Sequence, residues 1–488
     1  MSPGLILLCI GCYFGVLLTI AWHTARGSTS RGYYLGNKNS PWYAVAFGYI
    51  GDSLSGVTFI SVPGQVAGSK FSYLQVVLGY LVGYAIIASV LLPLYYRLNL
   101  TSIYSYLGSR FGPRAQKTGA FFFLISRTTG AAARLYLAGS VLQSFIFDVW
   151  GVPFAVTISL SILLMLAYTL RGGIKTLVWT DTFQSTFLLL GLGLSIVAIA
   201  RSLGLDLWGV VNLVRTSEMS QIFFWDWKEK TYFWKQFLSG IFLAVAMNGL
   251  DQNMMQKNLS CRTLGEAKTN LYAFSIVMVL VNVAFLSLGV LLHHFALSKG
   301  IAMPARTDAL FPTLALQHLG MLASVAFIFG LTAATFSSAD SVLTTLTTSF
   351  CLDFLKQDTS PATEAEKTRN RYFVHAGFSF VLLIFILAFR ALGSDAVINA
   401  ILRLAGYTYG PLLGLFTLGL TTQRPIRDRL IPWVCCASPL ACLVLEDRAP
   451  VWFGGYRFGF ELLLVNAFIT AFVLWSAPSR DTAPISPS

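Results

Sequence analysis

Long apolar stretches alternate with short polar segments along almost the whole chain. The stretches recur about every 30 to 40 residues, and each approaches the roughly 20 residues that a helix needs to cross a bilayer. They lack the two-residue alternation of barrel strands. Because the lipid interior offers the backbone no hydrogen-bond partners, such runs form helices. The pattern therefore predicts an all-α, polytopic membrane protein with about thirteen transmembrane helices.

The predicted helices form two groups of five, with one helix before them and two after them. They lie at 5–22; at 42–66, 73–95, 118–147, 153–170 and 177–200; at 233–255, 271–295, 321–352, 373–389 and 396–420; and at 431–445 and 458–475. This divides the chain into an extra N-terminal helix and loop (1–40), a first repeat (41–203), an outer loop (204–232), a second repeat (233–421) and two C-terminal helices with a short tail (422–488).

Composition and charge support the membrane assignment. Hydrophobic residues make up 55% of the 488 positions and charged residues only 11%, against about 25% charged in soluble domains. The net charge of +13 is better explained by topology than by nucleic acid, because basic residues, Lys257 among them, concentrate in alternate predicted loops. We expect a multi-pass protein of the cell membrane with its N-terminus outside and its C-terminus in the cytoplasm. The first helix lacks a preceding basic residue, so we expect it to be retained.

The first helix of each group contains residues that can interrupt a helix in mid-membrane. Five helices per group make the second group an inverted copy of the first, which is a common architecture of secondary transporters. Glycines lie beside polar residues in both first helices, at Gly51 and Asp52 and again at Gly249 and Asp251. Close helix packing is the alternative use of such glycines. We favour unwound binding segments.

The run Ala334 to Ser341 offers oxygen ligands for sodium, which prefers hydroxyls and carbonyls. Ser337 and Ser341 are four residues apart and share a helix face, with Ser338 and Asp340 beside it. The alternative is that these hydroxyls bond to carbonyls of their own helix. Asp181 lies just inside another predicted helix, where a carboxylate costs a few kcal/mol unless it is paired, hydrated or holding a cation. It could also be an interfacial residue.

Two arginines, Arg127 and Arg134, lie seven residues apart in one predicted helix. A buried guanidinium needs a partner, and its fork matches a carboxylate. The partner could be an internal acid such as Asp52 or an anionic substrate, and the sequence leaves both open.

Other chemistry has no support in the sequence. There is no Walker A motif, no nucleophile elbow and no zinc-protease pattern, and the seven cysteines lack metal-ligand spacing. We therefore expect no enzyme and no ATP-driven pump.

Several of these segments resemble the sodium:solute symporter family, which includes sugar, proline, sialic acid and monocarboxylate carriers. The likeness rests on four stretches: 96–104; 170–176 with Trp179, Thr180, Asp181 and Gln184; Gly249, Gln252, Gln256 and Leu259 with Glu266 and Ala267; and the serines near 337. It implies the leucine-transporter fold, ten core helices in a 5+5 inverted repeat, and alternating access.

The resemblance also implies the sodium sites. Carbonyls of Gly51, Leu54 and Ala334 and hydroxyls of Ser337 and Ser338 would hold one ion between the broken first helix and the eighth. Some members hold a second sodium, which here would fall to Asp181 with Ser337, Asp340 and Ser341.

For the substrate, the resemblance implies Ser55, Thr58 and an arginine of the third core helix, for which Arg127 is the candidate. The predicted set also contains Ser53, Gln75, Arg134, Asn248 and Asp251. Two features of the sugar carriers, an aromatic gate and a seventh-helix lysine, have no counterpart here. We therefore predict sodium-coupled symport of a small organic anion such as a sialic acid or a monocarboxylate. A proton-coupled or neutral-solute carrier and a transporter-like sensor remain alternatives, and the oligomeric state is left open.

Overall fold

The computed structural model describes residues 3–26, 29–227, 229–392, 394–456 and 458–477, without the side chains of 3, 5, 6, 31, 145 and 394–405. Within these residues the ordered backbone is helical and no β-strand forms. The predicted cytoplasmic tail after Ala477 lies outside them. The first half contains α1 (Pro3–Thr24), α2 (Ser30–Leu35), α3 (Trp42–Ser53), α4 (Gly56–Gly64), α5 (Val66–Ser69), α6 (Tyr73–Ile86), α7 (Leu92–Arg97), α8 (Ser105–Phe111), α9 (Pro113–Leu142) and α10 (Phe154–Ser202).

The second half begins where the sequence predicted an outer loop. That loop contains a helix of its own, α11 (Leu207–Thr216), and a short 3₁₀ turn at Glu218–Ser220. The remaining helices are α12 (Phe233–Ala244), α13 (Gln252–Leu259), α14 (Leu264–Ser298), α15 (Leu310–Gln317), α16 (Gly320–Ser349), α17 (Glu364–Leu392), α18 (Ser394–Thr421), α19 (Ile431–Trp452) and α20 (Leu462–Ser476). Single π-helical turns lie at Ile87–Leu91, Gln143–Phe147, Val245–Gly249 and Phe350–Phe354.

By length and composition alone, six helices of the described chain are suited to cross a membrane, or seven if α3 and α4 count as one bent span. The 49-residue helix α10 covers two of the predicted spans. The all-helical membrane architecture predicted from the sequence is therefore confirmed. The count of about thirteen crossings and the boundaries between repeats stay predictions.

The first predicted break is present. α3 and α4 are bent by 60° relative to each other, and the backbone between them leaves the helical region at Leu54 (φ −96°, ψ 88°) and Ser55 (φ −73°, ψ 167°). A helix end leaves its last carbonyls and first N–H groups without intrahelical partners. The break therefore presents free backbone oxygens of α3 inside the protein.

The second predicted break is present too. A π-helical turn at Val245–Gly249 ends α12, and Asp251 (φ −115°, ψ 122°) caps the next helix by accepting a hydrogen bond from the Met254 N–H at 3.2 Å. α13 then continues to Leu259, four residues past the predicted end at 255. Every residue of α13 is buried, although the stretch is polar.

A sharp kink at Gly173 divides α10 into the two predicted helices. Gly173 has φ +53°, which L side chains rarely adopt. A Cβ atom there would also overlap the carbonyl and ring of Tyr33 in α2. The predicted gap between these helices is therefore a bend without a loop, held by close contact with the segment before α3.

The helices form a layered bundle with α16 at its centre. Of the apolar window in the span Gly320–Phe354, 72% is buried, against 22% in α1 and in α17. α16 packs against α10, α9 and α3. The hydroxyl- and acid-rich face of α16 therefore lies opposite the α3–α4 break, in the interior of the bundle.

Candidate cation and solute sites

The α3–α4 break approaches α16 closely at Gly51. A Cβ atom on Gly51 would lie 2.9 Å from Ser337 Oγ and 2.7 Å from Ser185 Oγ of α10. Ser337 and Ser338 are both buried, with 0% and 1% exposure, and neither faces lipid. Glycine is needed at this position because any side chain would separate the helices. The two helices predicted to share a sodium ion therefore meet at the predicted residues.

The oxygen atoms around this meeting point suit a hard cation. Ser337 Oγ donates a hydrogen bond to Asp181 Oδ1 at 3.1 Å, and Ser338 Oγ donates to the carbonyl of Ala334 at 3.2 Å. A hydroxyl that donates its proton keeps lone pairs for a cation. The neighbouring Gly51 carbonyl accepts no hydrogen bond from Ser55, where the helix is interrupted. Gly51 and Ser337, two of the predicted ligands, are therefore adjacent, and the role of the whole predicted set in sodium binding stays a prediction.

A charged cluster lies beside this group, centred on Lys257 of α13. Its Nζ contacts Asp181 Oδ2 at 2.6 Å, Ser341 Oγ at 2.8 Å and Asp52 Oδ2 at 2.9 Å. The lysine side chain is 2% exposed and the two carboxylates 1% or less. Asn253 Nδ2 also donates to Asp52 Oδ2, at 2.8 Å. Asp52 and Asp181 are therefore joined by an internal ammonium group.

Asp340, the third predicted acid, lies apart from this ion pair. Its Oδ2 accepts a hydrogen bond from the hydroxyl of Tyr168 at 2.7 Å. Its Oδ1 is buried and has no hydrogen-bond partner among the described residues.

Arg127 pairs with Asp251 and not with Asp52. Its Nε lies 2.6 Å from Asp251 Oδ2, and its Nη2 donates to the Met247 carbonyl at 3.1 Å. The Tyr409 hydroxyl donates to the same Asp251 oxygen at 2.7 Å. This corrects the suggestion of Asp52 as the internal partner of the arginines. It also shows that Asp251 caps α13 and fixes α9 to the second broken helix.

A cavity of about 460 Å³ adjoins the α3–α4 break. Its lining includes Ser55 and Thr58 beside the break and both arginines of α9. Its lining also includes Thr231, Gln236, Asp308 and Phe460. This volume lies within the range of small-molecule sites, roughly 300–1,000 Å³.

A second, smaller cavity of about 90 Å³ adjoins the first and is lined by Ser53, Asn248 and again both arginines. Arg134 is half-buried and has no ion pair or hydrogen bond to any described residue. Ser53 Oγ is buried and also lacks a partner. Of the predicted substrate set, Arg134 therefore lines both cavities without a partner among the described residues, and Ser53 lies beside the smaller one with its hydroxyl buried.

Two predicted substrate residues do not line these cavities. Gln75 is fully buried. Its side chain donates a hydrogen bond to the Thr231 carbonyl at 2.8 Å and accepts one from the Phe224 N–H at 3.3 Å, so it binds the segment that follows α11. Asp251 is occupied by Arg127 and Tyr409, as described above. Both side chains are thus engaged by other parts of the protein, and their predicted role in substrate binding stays a prediction.

The sequence analysis missed Lys257, which it assigned to a cytoplasmic loop. The signal was present in the chain: neither Gly nor Pro interrupts 252–259, and the next helix starts only after Thr263, whose side chain caps it. Lys257 therefore had to lie inside a helix that continues past the break.

A helical membrane bundle with two broken helices, hydroxyl and carboxyl oxygens at the breaks and an adjoining cavity is typical of a secondary transporter. Residues 33–427 match the sequence model of the Sodium:solute symporter family. The chain belongs to this family, in which sodium is the coupling ion, and it is a multi-pass membrane protein.

Among known relatives, the human Sodium-coupled monocarboxylate transporter 1 is 25% identical over 449 residues, which are 87% of this chain and 68% of the relative. The Sodium/sialic acid symporter NanT of Aliivibrio fischeri is 25% identical over 427 residues, 84% of this chain and 82% of the relative. The Sodium/sialic acid symporter SiaT of Proteus mirabilis is 26% identical over 431 residues, 85% and 84% of the two chains.

A solved structure of a Na⁺-coupled sialic acid symporter in a substrate-bound, outward-open state superposes with a TM-score of 0.82 at 21% identity and covers 96% of both chains. The transporter Mhp1 in a closed conformation gives a TM-score of 0.50 at 13% identity, with 90% of this chain and 92% of Mhp1 covered. These similarities confirm the predicted leucine-transporter fold.

Proposed function

We propose that this protein is a secondary active transporter that couples the entry of sodium to the uptake of a small organic anion by alternating access. It acts in the cell membrane, with its N-terminus outside and its C-terminus in the cytoplasm. The observation that carries the anion assignment is Arg134, a guanidinium group that faces the main cavity without a partner among the described residues.

An unpaired guanidinium inside a membrane protein is unfavourable and marks a functional site. Arg127 is paired with Asp251 at 2.6 Å, whereas the neighbouring Arg134 adds to the cavity lining a guanidinium that has no ion pair with any described carboxylate. A carboxylate substrate would satisfy that charge through a two-pronged hydrogen bond. The hydroxyls of Ser55 and Thr58 on the same wall would orient the rest of the molecule. Of the two arginines, Arg134 is thus the better substrate ligand, contrary to the preference for Arg127 from sequence.

The relatives support an anionic substrate, since their names specify monocarboxylates and sialic acid. The sodium ion would bind where α3 breaks against α16, held by Gly51, Leu54, Ala334, Ser337 and Ser338. One positive charge that moves inward across about 100 mV releases about 2.3 kcal/mol. Binding of the ion would hold α3 against α16 and so favour the state in which the cavity is open.

The test is uptake into proteoliposomes that contain the purified protein. The probes are radiolabelled N-acetylneuraminate and pyruvate as anions, with proline and glucose as neutral solutes, in external sodium or choline. We expect uptake of at least one anion, dependent on sodium and stimulated by an inside-negative potential. Equal uptake in choline would refute sodium coupling, and choline uptake that rises as external pH falls would indicate proton coupling.

The role of Arg134 is tested with Arg134→Gln and a matched control, Arg114→Gln, at the exposed start of the same helix. Arg134→Gln should reduce anion uptake at least tenfold at low substrate concentration, and Arg114→Gln should leave it within twofold. Transport of neutral solutes only, or unchanged anion uptake in Arg134→Gln, would contradict the anion assignment.

A further inference from the structure

Lys257 lies where the family resemblance implied a second sodium ion. That ion would need Asp181, Asp340 and Ser341. Lys257 Nζ already lies 2.6 Å from Asp181 Oδ2 and 2.8 Å from Ser341 Oγ. Asp181 and Ser341, two of these three residues, are therefore already bonded to an ammonium group. That group carries the same charge as the sodium ion.

The contacts of Lys257 are those of a bound cation. An ammonium has three donors and no acceptor, and all three find oxygen: one on Asp52, one on Asp181 and one on Ser341. The side chain is 2% exposed, so these contacts lie away from bulk water. A sodium ion at this place would have to expel the ammonium into an interior that offers no other acid within ion-pair distance among the described residues.

The balance of charge points the same way. Asp52 and Asp181 carry two negative charges and Lys257 carries one positive charge, so one negative charge stays uncompensated in the interior. Ser337 connects Asp181 to the α3–α16 group by the 3.1 Å hydrogen bond described above. A single sodium ion between α3 and α16 would complete the balance. A second ion would exceed it unless Asp340, whose Oδ2 accepts a hydrogen bond from Tyr168, also held a charge.

We propose that Lys257 is a tethered cation that takes the place of the second sodium, so that this chain binds and transports one sodium ion per solute molecule. This inference rests on the proposed function, because it specifies the coupling of the same site. Lys257 is in this sense a positioning residue: its ammonium holds α13, α3 and α10 together whether or not the transported ion is bound.

The direct test counts the sodium ions that bind to the purified wild-type protein, by ²²Na⁺ equilibrium binding without any solute. We expect one ion per chain and a Hill coefficient near one. Two ions per chain would overturn the inference while leaving sodium-coupled transport intact. No saturable sodium binding would overturn both the inference and the proposed function.

Substitution of the lysine gives an independent readout. Lys257→Met removes the ammonium and keeps the length of the side chain, and Lys257→Met combined with Asp52→Asn keeps the net charge of the cluster unchanged. Lys257→Met alone leaves two uncompensated negative charges and should bind a second sodium ion and raise the Hill coefficient toward two, whereas the double variant keeps one such charge and should bind one ion. The control is Lys117→Met, on an exposed side chain of α9, which should keep the wild-type count. A single ion in folded Lys257→Met would contradict the claim that the ammonium excludes the second ion.

Discussion

The close approach of α3 to α16 at Gly51 predicts a large effect of one added methyl group, in Gly51→Ala. The new Cβ atom would lie 2.7 Å from Ser185 Oγ and 2.9 Å from Ser337 Oγ, well inside van der Waals contact. Neither hydroxyl can move away without loss. Ser185 Oγ accepts the Gly51 N–H at 2.9 Å, and Ser337 Oγ donates to Asp181 at 3.1 Å.

The magnitude follows from these two contacts. Overpacking a well-filled interior by one group costs about 1–3 kcal/mol, and release of one hydrogen bond adds about 0.5–1.5 kcal/mol. If the backbone of α3 shifts to relieve the overlap, its carbonyls move away from the sodium site. A loss of about 1–3 kcal/mol in sodium binding corresponds to roughly a 5- to 150-fold weaker affinity.

The assay is the sodium concentration that gives half-maximal uptake, measured in proteoliposomes for wild type and Gly51→Ala. Gly193→Ala is the matched control: it lies on α10, and no atom lies within 4 Å of its added methyl group. We expect half-saturation to rise at least fivefold in Gly51→Ala and to stay within twofold in Gly193→Ala. A Gly51→Ala protein with wild-type sodium dependence would refute the proposed position of the ion.

Three further substitutions test the contacts around the breaks. Arg127→Met leaves the buried carboxylate of Asp251 without its ion pair and should lower the free energy of unfolding by about 3–5 kcal/mol. The melting temperature should fall markedly, and an unchanged melting temperature would contradict the pairing. Tyr409→Phe removes one hydrogen bond to the same carboxylate and should lower stability by about 1.5–3 kcal/mol, with a smaller fall than Arg127→Met. Gly173→Ala places a side chain at a positive φ, where its Cβ atom would overlap Tyr33. We expect this variant not to fold and to give no monodisperse peak in size-exclusion chromatography. A monodisperse, active variant would show that the kink can adapt to a side chain.

Local patterns were sufficient to predict the breaks and the hydroxyl face. Glycine next to polar residues in an otherwise apolar helix predicts an interruption, and both interruptions lie where the sequence placed them, at Leu54–Ser55 and after Gly249. The spacing of Ser337 and Ser341 predicts a shared face from helix geometry alone. These features depend on neighbours within one or two helical turns, which the sequence displays directly.

The ion pairs could not be predicted in the same way. Arg127 and Asp251 are 124 residues apart, and Lys257 is 205 residues from Asp52. Which acid meets which base depends on how α3, α9, α10 and α13 pack. Hydropathy was misleading for α13, because a polar stretch predicts an exposed loop. In the structure these polar side chains are buried, and Lys257 forms hydrogen bonds to other helices.

Gln75 shows the converse difficulty. A glutamine in an apolar helix suggests a substrate ligand. In the structure, however, the Gln75 side chain donates a hydrogen bond to the backbone carbonyl of Thr231, which is distant in the sequence. The sequence gives no means to distinguish an amide that binds solute from one that fastens a loop.

The sodium site itself is tested most directly by Ser338→Ala. Among the described residues the Ser338 hydroxyl bonds to two carbonyls of its own helix, both at 3.2 Å, so its removal should leave the fold intact. In wild type we expect sodium to raise the melting temperature in a saturable way that potassium at equal concentration does not reproduce. In Ser338→Ala the melting temperature without sodium should be close to that of wild type, and half-saturation should require at least tenfold more sodium. Equal stabilisation by both ions, or an unchanged sodium titration in Ser338→Ala, would contradict a sodium site between the broken helix and α16.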